Sequence, residues 1–126
     1  MHIREYFHQI QILFDQISKI SIQEILFDER SEFIGYIKGQ ITFINGYRFY
    51  VSEYVDVEHT IDKIKYSYHF MQRDRMIFRY DNASDPHIKY LKTYPNHKHT
   101  SNGLIIESEP PNLEVVFGEI ISILEI

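Results

Sequence analysis

One Asn-Gly dipeptide constrains the fold of this chain more than any other feature, because it lies between two segments in which apolar and polar residues alternate. Asn45-Gly46 separates ITFI from YRFYVSEYV, and apolar and polar residues alternate in both runs. Both turn positions tolerate a positive φ, so this pattern predicts an antiparallel hairpin. The preceding runs EILF and EFIGYI are also strand-like, with Gly35 and Gly39 as their predicted bounds. An antiparallel sheet is therefore expected.

A second hairpin is predicted from KIKYSYHF and MIFRYD, joined by the turn MQRDR. Alternation assigns one face to the core, formed by Ile64, Tyr66, Tyr68, Phe70, Met76, Phe78 and Tyr80. The opposite face carries Lys65, Ser67, His69, Ile77, Arg79 and Asp81. A five-residue turn would place Phe70 opposite Met76, Ser67 opposite Arg79, and Lys65 opposite Asp81.

Helical spacing of apolar residues marks both ends of the chain. Residues 3 to 20 carry Ile3, Tyr6, Phe7, Ile10, Leu13, Phe14, Ile17 and Ile20. After Pro110-Pro111, Asn112 is the predicted N-cap of a helix with Leu113, Val116, Phe117, Ile120 and Leu124 on one side. Between the hairpins and this helix, residues 82 to 102 are expected to form a long ordered loop with one short strand, and LIIES a last strand.

These elements predict an α+β fold: an antiparallel β-sheet of about four to six strands, with the N- and C-terminal helices packed on one face. At 126 residues, the chain 1–126 fits a single domain. It has no cysteine, so any metal would have to be held by His, Asp or Glu. The N-terminus has no signal-like segment, and a cytoplasmic protein without a membrane anchor is expected.

Charge is distributed unevenly along the chain. The net charge is −5, yet residues 63 to 103 hold eight basic and three acidic residues, or +5, which leaves −10 for the rest. Four of the seven histidines fall inside this basic segment. Phosphate binding depends on lysine and arginine, so the segment is a candidate surface for a polyanion such as RNA, whereas the alternative is a plain solvated face.

The pair His97 and His99 is the first candidate for chemistry, because residues two apart in a strand point the same way. The pair is compatible with three interpretations. It could supply the acid and base of metal-independent RNA cleavage. It could bind a divalent metal, completed by His69, His87, Asp81 or Asp85. The third interpretation is two exposed or structurally bonded histidines.

Further candidates surround this pair. Arg79 and Asp81 share a face and would act as a phosphate-binding cation and its orienting carboxylate, or as a plain ion pair. Lys98, His69, His87 and Lys65 are the expected substrate-binding residues. The chain has no Gly-rich phosphate loop, GxSxG, HExxH or cysteine, which disfavours nucleotide hydrolysis, serine hydrolysis and zinc-protease chemistry.

The motifs FRYDNA (residues 78–83) and YPNHKH (residues 94–99), with His87 between them, resemble the TumE-type toxins of bacterial toxin–antitoxin systems. SEYV (residues 52–55) and the proline-rich entry to the last helix fit the same pattern. The resemblance implies a small cytoplasmic toxin that is neutralised by a cognate antitoxin. Because many toxins of such systems are ribonucleases, we expect a metal-independent endoribonuclease without a cofactor. A non-enzymatic protein- or nucleic-acid-binding module and a metal-dependent nuclease are the alternatives.

Overall fold

In the part of the chain that the structure describes, seven antiparallel strands form one sheet, with a helix before the first strand and another after the last. The computed structural model describes residues 1–17 and 20–124. Helices α1 and α2 span Ile3–Asp15 and Leu113–Leu124. The strands are β1 (Ile20–Glu29), β2 (Ile34–Phe43), β3 (Tyr47–Asp56), β4 (Asp62–Gln72), β5 (Arg75–Asp81), β6 (His97–Thr100) and β7 (Ile105–Glu107). Each strand pairs with the next along the chain. The predicted α+β fold is confirmed. The short strand expected within residues 82–102 and the last strand expected at LIIES both form, as β6 and β7, and with them the sheet has one strand more than the predicted four to six.

Helix α1 is shorter than predicted. It ends at Asp15, and Ile20 pairs with Phe43 at the start of β1 instead of continuing the helix. Ile17 and Ile20 fit the helical spacing, but the segment from Ile20 onward also fits a strand, and pairing with β2 decides between the two. Residues 18 and 19 of the predicted helix lie outside the described part of the chain. At the other end, Asn112 caps α2 as predicted, since its Oδ1 accepts a hydrogen bond from the Val115 amide (3.0 Å).

The Asn-Gly hairpin is confirmed, whereas the bounds predicted at Gly35 and Gly39 are wrong. Both glycines lie inside β2, which pairs with β3 over its whole length. Gly35 is there because α1 packs directly on it: a Cβ at this position would lie 2.5 Å from Phe7 Cζ. A close approach between helix and sheet, rather than a turn, therefore explains this glycine.

The second hairpin forms, but its predicted register is wrong. Arg73 adopts a left-handed conformation (φ 51°), and Met71 and Gln72 pair with Met76 and Arg75 instead of belonging to the turn. A register shift follows between Phe70 and Met71, so that Phe70 lies opposite Phe78, His69 opposite Arg79, and Ser67 opposite Asp81. Ile64, predicted in the core, is 47% exposed because β4 has a second irregularity next to it, where Tyr54 and Val55 pair with Lys65 and Lys63.

Both helices cover the same face of the sheet, as predicted. Phe117 of α2 packs against Phe14 of α1 and Phe49 of β3, with ring centroids 5.0 and 5.8 Å apart. The other buried apolar residues of this core come mainly from both helices and from alternate positions of β2 to β5. Neither helix of the described chain is long and apolar enough to cross a membrane.

One carboxylate is buried in this core. Glu53 of β3 is fully buried and accepts hydrogen bonds from the hydroxyls of Tyr6 and Tyr68. Lys63 Nζ lies 3.8 Å from it and donates to the Pro111 carbonyl. Burial lowers the pKa of Lys63 and raises that of Tyr68. The network is satisfied by hydrogen bonds, as a buried charge requires.

Candidate functional site

The candidate site lies on the sheet face opposite the helices. Register places one residue of each strand in a row across this face: Glu24, Gln40, Tyr50, His69, Arg79, His99 and Ile105. A neighbouring row contains Ser67, Asp81 and His97. The structure thus brings together His69, Arg79, Asp81, His97 and His99, which the sequence had suggested as site residues.

Arg79 is the centre of this group. Its Nε donates to Asp81 Oδ2 (2.9 Å), and its Nη2 lies 3.1 Å from His99 Nε2. On the other side of its strand, Arg79 is the register partner of His69. Its side chain keeps 38% exposure, so the guanidinium is oriented by Asp81 and still reaches solvent.

His97 and Asp81 are buried beneath the solvent-facing part of the site. Their side chains are 3% and 7% exposed, and His97 Nε2 lies 3.1 Å from Asp81 Oδ1. His97 Nδ1 lies 2.7 Å from the Pro95 carbonyl, which only accepts hydrogen bonds, so Nδ1 carries a hydrogen. Asp81 also accepts from the Ala83 amide (2.9 Å). The segment from 82 to 96, which connects β5 to β6, thus contributes two backbone groups that hold Asp81 and His97.

The two histidines beside Arg79 have lowered pKa values. Burial is the main cause for both His69 and His99, and the positive charge of Arg79 adds to it. Both imidazoles are therefore biased toward the neutral form near pH 7, in which one ring nitrogen can accept a proton. The side chain of His99 is 19% exposed, so a ligand can reach it, whereas the side chain of His97 is almost fully buried.

His97 and His99, the pair expected to act as acid and base, share a face of the sheet, but their imidazole rings lie very close to each other. Their Nε2 atoms lie 3.1 Å apart and their ring centroids 4.9 Å apart. At this distance the two nitrogens are within hydrogen-bond range of each other, so there is no room for a phosphate between them. His69 and His99 differ in this respect, because two interstrand spacings of ~4.8 Å separate their backbones, with Arg79 in between.

The same geometry offers donors for a metal. One ligand atom each from Asp81, His97 and His99 lie within 4.8 Å of one another. Carboxylate and imidazole ligands of this kind suit zinc and similar divalent ions. However, the Arg79 guanidinium already contacts Asp81 Oδ2 and His99 Nε2, and its charge opposes a divalent cation at the same place.

Three expected substrate-binding residues lie apart from this cluster. Lys98 points to the helix-covered face, where its Nζ pairs with Glu119 Oε2 at 2.7 Å, so the structure contradicts its placement in the site. Alternation along β6 is the reason, since the neighbours of His97 and His99 must face the other way. His87 is 92% exposed at its side chain and contacts Asp85 (3.0 Å). Lys65 does lie on the open face, but opposite Tyr54 in β3.

Tyr50, Tyr54 and Tyr36 also belong to the open face, although sequence analysis did not single them out. Tyr50 is the register partner of His69, with ring centroids 6.0 Å apart, and Tyr36 pairs with Tyr54. All three are half-buried. The alternation in YRFYVSEYV carried the signal, because Arg48, Tyr50 and Tyr54 have the same parity. Only pairing with β4 brings Tyr50 next to a histidine.

The comparisons with known proteins give one match. None of the curated proteins and none of the solved structures matches the chain. The family model described as Toxin TumE matches residues 10–125, which include the C-terminal part of α1, all of α2, all seven strands and every residue of the candidate site. The chain therefore belongs to the Toxin TumE family.

Proposed function

We propose that this toxin is an endoribonuclease that cleaves RNA without a metal, with His69 and His99 as acid and base. Family membership supports the toxin role, and the site supports the chemistry. The observation that carries the proposal is the row His69, Arg79 and His99 on three adjacent strands of the open face. Two imidazoles that flank a guanidinium are the groups that this reaction needs.

The reaction follows from these positions. The scissile phosphate binds at Arg79, and the neutral imidazole of the pair removes the proton of the 2′-hydroxyl. The 2′-oxygen then forms a bond to phosphorus, while the bond from phosphorus to the 5′-oxygen breaks. The protonated imidazole gives its proton to the leaving 5′-oxygen, and Arg79 stabilises the charge of the phosphorane. The products are a 2′,3′-cyclic phosphate and a 5′-hydroxyl.

His97 and Asp81 act as positioning residues in this scheme. Asp81 fixes the Nε of Arg79 and is itself held by the Ala83 amide. His97 is anchored at Pro95 and lies against the other carboxylate oxygen. We assign to His69 the general-acid or general-base role that the sequence suggested for His97, because His97 is buried whereas His69 faces the open surface.

The test is cleavage of a labelled single-stranded RNA by the purified protein in EDTA. The wild-type protein should release fragments that end in a 2′,3′-cyclic phosphate. His69→Ala and His99→Ala should each reduce kcat/KM by about 10²- to 10⁴-fold, the usual contribution of one acid–base group. His87→Ala is the matched control and should retain activity, since it removes an exposed histidine outside the cluster. Full cleavage by either cluster variant would exclude the proposed roles.

A metal-dependent nuclease is the second candidate, because the donors of Asp81, His97 and His99 converge. In that case EDTA would abolish cleavage, and Mn²⁺ or Zn²⁺ would restore it. His97→Ala would then be as damaging as His99→Ala, whereas His69→Ala would have little effect.

We also propose a cognate antitoxin as the protein partner, as the toxin family suggests. The charge of −10 outside residues 63–103 is suited to a basic antitoxin segment. Growth assays separate an enzyme from a stoichiometric binding module. An enzyme should arrest cells at low copy number, and His99→Ala should relieve the arrest; a binding module would need expression near the level of its target.

A further inference from the structure

We propose that the open face of β2 to β4 binds single-stranded RNA and presents it to the histidine cluster. This surface is the platform, formed by Tyr36, Lys38, Arg48, Tyr50, Tyr54 and Lys65. The inference rests on the proposed ribonuclease activity for its choice of ligand, and it names the substrate class and the residues that hold it.

Continuity with the cluster is the first argument. Tyr50 lies next to His69, and His69 lies next to Arg79 in the same row. Tyr50 is therefore two interstrand spacings, about 10 Å, from the residue that would bind the scissile phosphate. A base stacked on the Tyr50 ring would belong to a nucleotide close to the cleaved bond.

The charge of the platform is the second argument. Lys38 and Lys65 are exposed and Arg48 is half-exposed. Among the described residues, none of these three cations takes part in an ion pair. Arg79 extends the same positive surface into the cluster. A phosphate chain that crosses the strands would meet these cations, although the whole chain has a net charge of −5.

The form of the surface favours unpaired bases. A sheet face with tyrosines is a flat stacking surface, and stacking on tyrosine requires a base that is free of its partner strand. A shallow depression of about 550 Å³ adjoins Tyr50, and its lining includes the cation Lys38 and the acid Glu24 together with Gln40 and Leu26. This depression gives room for a nucleotide at the β2 side of Tyr50.

Binding is measured by fluorescence anisotropy with His99→Ala as an inactive background and a labelled single-stranded RNA of about 12 nucleotides. Tyr50→Ala should raise the Kd by about 5- to 150-fold, the range for removal of one stacking ring, and Tyr50→Phe should keep the affinity. Tyr90→Ala is the matched control, because Tyr90 is 74% exposed and lies outside the strands. A duplex of the same sequence should bind more weakly.

The outcomes separate this inference from the ribonuclease proposal. Binding that depends on Tyr50 without any cleavage by the wild-type protein would support the platform and overturn the activity. Cleavage with an unchanged Kd and KM in Tyr50→Ala would support the activity and overturn the platform. Equal affinity for duplex and single strand, or loss of antitoxin binding in place of RNA binding, would also overturn the platform.

Discussion

At the residue scale, Arg79 lies between a buried pair of side chains and two histidines of the open face. Asp81, which His97 contacts in turn, holds Arg79 from the buried side, and His69 and His99 flank it on the open side. Its charge helps to lower the pKa of both flanking histidines, after burial. The same guanidinium can therefore bind a phosphate and set the protonation of the proposed acid and base.

The pH dependence of cleavage follows from these shifts. The active form has one imidazole neutral and the other protonated, and both pKa values lie below the usual 6.5. The profile of kcat/KM should therefore be bell-shaped, with its maximum below pH 6.5 and a loss of about tenfold per pH unit on the alkaline side. Arg79→Ala removes one cause of the lowering and should move the residual activity to higher pH. An optimum at pH 8 would contradict this assignment.

At the scale of the elements, the β4–β5 hairpin decides which residues meet. The left-handed Arg73 closes the turn and allows Met71 and Gln72 to pair. His69 takes the place opposite Arg79 that a five-residue turn would have given to Ser67. Strand β2 has its own constraint, since Gly35 is where α1 rests on the sheet.

A pair of glycine substitutions tests the contact between α1 and β2. Gly35→Ala would place Cβ 2.5 Å from Phe7 Cζ and 2.7 Å from Ile3 Cγ1, so the free energy of unfolding should fall by about 1–3 kcal/mol. Gly118→Ala is the matched control in α2, where an added Cβ would meet no atom within 4 Å apart from its chain neighbours and the nearby helix backbone. It should raise stability by about 0.5–1 kcal/mol through helix propensity. Urea denaturation measures both; an unchanged Gly35→Ala protein would mean that α1 is not seated on β2.

For the whole molecule, the two faces of the sheet differ in polarity. One face carries the apolar core under both helices, with Glu53 buried in it, and the other carries the histidine cluster and the platform. The cations of the open face come from β2 to β5, so an acidic chain has a local basic surface. Local charge, rather than net charge, should govern RNA binding.

Salt dependence tests this separation. If Lys38, Arg48, Lys65 and Arg79 contact phosphates, log K for single-stranded RNA should fall with log[salt] with a slope of about −2 to −3. Lys65→Ala should make the slope about 0.7 less negative, whereas Arg4→Ala, which removes an exposed cation from α1, should leave it unchanged. Anisotropy titrations between 50 and 200 mM salt, roughly the range in which such slopes are read, give the measurement. A slope near zero would contradict a phosphate-binding platform.

The sequence by itself determined the two terminal helices, the two hairpins, and the face on which most strand residues lie, with Ile64 as an exception. These properties are local: the alternation within β4 and β5 already places His69, Arg79 and Asp81 on one side, and an extended backbone gives His97 and His99 a common side. Only the pairing of β6 with β5 makes these two sides the same face. The same alternation sends Lys98 to the helix side, and the family resemblance that FRYDNA and YPNHKH carry is confirmed.

Only the tertiary structure decided which of these residues are neighbours. A register shift of two residues along a strand keeps every side chain on its face but changes its partner, so alternation does not fix the register. The turn at Arg73 made His69 the partner of Arg79. Burial likewise separates the two histidines, since the side chain of His97 is 3% exposed and that of His99 is 19% exposed. Alternation gives both residues the same face, so it does not predict this difference.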